Sequence, residues 1–65
     1  MMEELIKEGN SITYRSDIYE LHSFEAIDDQ CIHLHLNEGI YAVTLPCIIN
    51  SKQIDTVAQF EEVMK

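Results

Sequence analysis

Apolar and polar positions alternate most regularly in two runs, residues 31–36 and 40–45, on either side of Asn37-Glu38-Gly39. Alternation with period two sends successive side chains to opposite faces of a strand. The intervening residues end in glycine, which takes a left-handed conformation at little cost, so the spacing predicts a hairpin with a three-residue loop. In that register Leu36 faces Ile40, Leu34 faces Ala42 and Ile32 faces Thr44 on a core side. His35 faces Tyr41, His33 faces Val43 and Cys31 faces Leu45 on a mixed side expected to be outer.

Residues 1–8 read as a short helix with Leu5 and Ile6 as its apolar positions. Glu3 and Glu4 suit the positive end of its dipole, and Gly9-Asn10 make a stop. So short a helix must pack on something to persist. Residues 12–15 form a brief strand before a turn at Ser16-Asp17. Residues 18–27 carry two patterns. Ile18, Leu21, Phe24 and Ile27 recur every third position behind a capping Asp17, as in a helix, whereas Ile18, His22, Phe24 and Ala26 alternate as in a strand. The strand is preferred, because the hairpin needs a partner. A three-residue loop at Asp28-Asp29-Gln30 then sets Phe24 opposite Leu34 and Ala26 opposite Ile32. A two-residue loop would instead set His22 opposite His35.

Pro46 ends the second hairpin strand, having no N–H for a ladder. Cys47-Ile48-Ile49 is apolar enough to cross buried to the next element. Asn50 or Ser51 then caps a C-terminal helix whose stripe is Ile54, Val57, Phe60 or Glu61, and Met64. The expected architecture is a single α+β domain over residues 1–65. It is a small antiparallel sheet of three or four strands, packed by the C-terminal helix and flanked by a short N-terminal one.

Composition narrows the class. A chain of 65 residues, 46% hydrophobic and 25% charged, is globular in character with a thin core. Twelve acidic against four basic residues give a formal charge of −8, which disfavours direct binding of nucleic acid or anionic lipid and suits a basic protein surface. No apolar run approaches the ~20 residues of a membrane span. The acidic start lacks the basic region of a secretory signal, so a cytoplasmic setting with reduced thiols is expected.

Four kinds of chemistry can be placed on this frame. Cys31, His33 and His35 project from one face of a strand and form a candidate zinc site, although paired Cys-x-x-Cys ligands are absent. Cys31 or Cys47 beside a histidine is a conceivable nucleophile, but so small a domain has little room for a pocket. His33 and His35, close together on one strand, form a conceivable pH switch. The mixed face, with Tyr41, Val43, His33, His35 and Leu45, forms a candidate partner-binding surface that Tyr14 and Tyr19 would extend. Scattered carboxylates also admit imitation of DNA toward a nucleic-acid-binding protein.

The reading is a non-enzymatic protein-binding module: a regulator, inhibitor or adaptor of bacterial or phage type, with no cofactor. The alternatives are a small zinc protein, a homodimeric structural subunit and a DNA-mimic inhibitor.

Overall fold

The computed structural model describes residues 2–65. In it the chain forms strands β1 (Glu4–Glu8), β2 (Ser11–Tyr14), β3 (Asp17–Asp28), β4 (Cys31–Leu36), β5 (Gly39–Thr44), β6 (Cys47–Ile49) and β7 (Lys52–Ile54), then helix α1 (Val57–Met64). The seven strands make one mixed sheet in the order β5-β4-β3-β2-β1-β6-β7. This overturns the expected three or four strands and the expected N-terminal helix. The protein is mostly sheet with one short helix at its C-terminal end.

Turn chemistry explains most of the difference. Within the expected helix over 1–8, Glu4–Glu8 is strand β1, Met2 and Glu3 have no regular structure, and Met1 lies outside the described residues. Gly9, at φ 60°, and Asn10 link it to β2 in a two-residue turn that pairs Glu8 with Ser11. Gly9-Asn10 therefore reverses a strand rather than ending a helix. Arg15 and Ser16 both take positive φ, 51° and 72°, and so do Asn50 and Ser51, 53° and 67°. Two successive left-handed residues are the signature of the tight turn that matches strand twist. The first turn lies one residue before the expected Ser16-Asp17. The second uses the residues expected to cap a helix and joins β6 to β7.

Asn50 also extends the parallel pairing of β1 with β6. Its amide oxygen accepts from Lys7 N at 2.9 Å, its amide nitrogen donates to Lys7 O at 3.1 Å, and its backbone N–H donates to Leu5 O at 3.0 Å.

The β4–β5 hairpin is present, but its loop is Asn37-Glu38 alone. Leu36 pairs with Gly39, whose φ of 130° is open only to glycine. Shortening the loop by one residue flips every facing pair. Leu34 now opposes Tyr41 and Ile32 opposes Val43, while His35 opposes Ile40 and His33 opposes Ala42.

Residues 18–27 are strand, and Phe24 does oppose Leu34 and Ala26 does oppose Ile32. The loop, however, is Asp29-Gln30 rather than three residues, because Asp28 pairs with Cys31 and the slip before it restores the expected register. The helix-like spacing has a different origin. The register of β3 against β4 slips between Leu21 and Ser23 and again between Ala26 and Asp28. The first slip puts Leu21 and Phe24 on one face although they are three apart.

β3 also changes partners along its length. Its first part, Asp17 to Glu20, pairs with β2, and from Leu21 onward it pairs with β4 on the opposite edge. Two asparagines hold the changeover. Asn10 O accepts from Leu21 N at 2.7 Å. Asn37 donates from its backbone N to Glu20 O and accepts from Glu20 N at its side-chain oxygen, both at 3.0 Å.

The curved sheet encloses Leu5, Ile12, Ile32, Leu34, Val43, Leu45, Cys47, Ile49, Ile54 and Phe60, with no buried polar residue among those described. Phe60 is the one fully buried residue of α1, and its ring meets Phe24 edge-on at 5.5 Å between centroids. Thr56 caps the helix. Its hydroxyl accepts from Gln59 N at 3.2 Å while the Gln59 side-chain oxygen accepts from Thr56 N at 3.1 Å. An eight-residue helix does not stand alone, so docking of Phe60 holds it in place. Phe60→Ala is expected to cost about 3–5 kcal/mol in denaturant unfolding. A loss below about 1 kcal/mol would show that the helix is not part of the cooperative unit.

Candidate functional site: a tyrosine-lined cleft

The partner change in β3 turns the sheet at Glu20-Leu21, and this corner brings the face of β2 against the start of β5. Ile12 and Tyr14 lie on the core side of β2, where burial of Ile12 fixes the face. Tyr19 opposes Ile12 across β2–β3 and so shares that face. Tyr41 opposes buried Leu34 and reaches the same side from β5. The rings of Tyr14 and Tyr41 meet at 4.9 Å between centroids, tilted by 39°.

A cleft of about 230 Å³ opens here, lined by Ile12, Tyr14, Tyr19, Leu36, Glu38, Gly39, Ile40 and Tyr41. The chain has three tyrosines, and all of them line it. The volume is below the ~300–1,000 Å³ usual for a cofactor or drug-sized ligand and suits one side chain. The Arg15 guanidinium carbon sits 5.2 Å from the Tyr14 ring centre. A second, more open hollow borders Met2, Glu3, Thr44, Leu45 and Pro46 and has no aromatic residue.

The residues expected to form one outer surface are divided between two faces. Val43 and Leu45 are core, Tyr41 leans on the core from the cleft, and His33 and His35 point from the opposite side of the sheet. The one-residue change in hairpin loop length causes this division. Tyr14 and Tyr19 do join Tyr41, but on the core side. Ile12, Leu36, Glu38, Gly39 and Ile40 complete the lining. None of them is expected at a functional site from the sequence, because the cleft depends on β2 and β5, strands that are not neighbours. The available signal was the inward alternation of all three tyrosines under two-residue turns.

Cys31, His33 and His35 do lie in a row on the outer face of β4, beside Glu25 and Ser23 of β3 and Ala42 and Ile40 of β5. His35 Nε2 stands 3.9 Å from Glu25 Oε1, and His22 Nε2 stands 3.9 Å from Glu20 Oε2. Both pairs are solvent-exposed and contribute little. Among the described residues, no three histidine, cysteine or acidic side chains converge on a point where a metal could sit. Nor does any helix reach the length and apolarity needed to cross a membrane.

Cys47 is fully buried on β6. Burial, reinforced by the nearby Glu3 carboxylate, pushes its thiol up from 9.0 to about 11, the opposite of what a nucleophile requires. Folding thus favours the protonated thiol. Its contribution is complete below pH 9.0 and fades as pH rises toward about 11. Unfolding free energy is expected to fall more steeply over that window in the native sequence than in Cys47→Ala; equal slopes would contradict the assignment. In native protein a thiol reagent should label Cys31, which is half-buried, and reach Cys47 only on unfolding. Rapid double labelling of folded protein would count against a closed core.

Compared with protein-family models, curated proteins and solved structures, the chain matches none.

Proposed function

We propose that this protein is a cytoplasmic, non-enzymatic binding module that grips an extended segment of a basic partner protein at the tyrosine-lined cleft. The observation that carries this reading is the convergence of every tyrosine in the chain on one open cleft sized for a single side chain. Tyrosine offers a large rigid contact surface at low entropic cost and recurs at protein-binding sites. The cleft adjoins β5, which ends the sheet and, among the described residues, has one backbone edge without a strand partner. An extended segment can add to such an edge while one of its side chains enters the adjoining pocket. The formal charge of −8 attracts and orients a basic segment. A regulator or inhibitor of a DNA-handling protein would have this chemistry.

A random peptide library displayed against the folded protein tests the reading. Selected peptides are expected to be extended and basic, and to shift the backbone amides of Gly39, Ile40 and Tyr41 in heteronuclear NMR. Tyr19→Leu and Tyr41→Leu keep apolar bulk and should each weaken binding by about 2 kcal/mol, roughly thirtyfold. Peptides that shift only the outer face of β4, or that bind both variants undiminished, would overturn it. So would sedimentation showing that a second copy occupies the β5 edge.

A further inference from the structure

The cleft has a chemical bias that goes beyond its shape. We propose, resting on the cleft as the binding site, that its occupant is a cation: a lysine, methylated lysine or arginine side chain of the partner. Its head group would be held among Tyr14, Tyr19 and Tyr41 with the Glu38 carboxylate at the rim.

Three observations point the same way. An aromatic ring is negative over its face, and the attraction it exerts on an ammonium or guanidinium group grows as water is excluded. Here three tyrosines share one cleft whose other lining is aliphatic, apart from a single charged residue, Glu38, which is negative. The chain also places its own cation on one of these rings. Arg15, from the β2–β3 turn, lies over Tyr14 at 5.2 Å without being part of the lining. Finally, the aromatic residues are sorted by polarity. Both phenylalanines meet each other against the core, and all three tyrosines are at the cleft. A pocket meant only for an apolar anchor has no need of that sorting.

Paired probes separate charge from shape. N-acetyl-trimethyllysine amide would be titrated into the intact protein beside its uncharged analogue, in which carbon replaces the quaternary nitrogen. N-acetyl-arginine amide would be run beside N-acetyl-citrulline amide. The tyrosine ring signals are followed by NMR, and tyrosine fluorescence reports independently because the chain has no tryptophan. The charged member of each pair is expected to bind roughly 3- to 30-fold more tightly. Glu38→Gln should weaken the charged members selectively. Arg15→Asn, which suits the left-handed backbone at that position, should strengthen them by removing a like charge beside the cleft. Equal or better binding of the uncharged members would overturn the cationic assignment and leave an apolar cleft. If no probe moved any tyrosine signal, the cleft itself would fail as the binding site.

Discussion

The exchange of partners by β3 at Glu20-Leu21 is the constraint on which the rest of this structure depends. A twelve-residue strand paired on one edge and then on the other is free to bend where the partner changes, and its register slips there, between Leu21 and Ser23. The contact of the Tyr14 and Tyr41 rings shows that the strands on either side close on each other. The enclosed face becomes the core, and the open corner becomes the cleft. Asn10 and Asn37 satisfy backbone groups that the changeover would otherwise leave unpaired. Both come from hairpin turns, so local turn chemistry and the global bend are set by the same residues.

How much of this was legible in the sequence follows from which interactions are local. The β4–β5 hairpin, the strand character of residues 18–27 and the pairing of Phe24 with Leu34 all rest on alternation and could be read. The N-terminal helix was misread because Leu5 and Ile6, adjacent in the chain, fit a helical stripe as well as a strand with one residue on each face. Leu5 is in fact buried and Ile6 exposed. Asn50-Ser51 resembles a helix cap and a tight turn equally, and the parallel pairing of β1 with β6 decides between them. That contact joins residues more than forty apart and leaves no local trace.

One residue of hairpin loop length redistributes the candidate surface. Counting Gly39 as loop rather than strand moved Tyr41, Val43 and Leu45 to the side of the histidines. With the two-residue loop, the apolar members enter the core or its margin, and the histidines remain on an outer face among Glu25, Ser23 and Ala42. Of the residues expected on that surface, Tyr41 alone lines the cleft. Among the described residues Phe60 is the one aromatic side chain that is fully buried. Three tyrosines half-withheld from the core are therefore more informative than the scattered carboxylates or the lone cysteines.

If the corner is a fixed part of the fold, the cleft is formed in advance of any partner. Native-state hydrogen exchange at the corner tests this most directly. The amides of Glu20, Leu21 and Asn37 are expected to exchange as slowly as those in the middle of β4, opening only with global unfolding. Exchange at those three sites as fast as in the turns would mean that the corner opens freely in solution, and the account of a preformed cleft would be wrong.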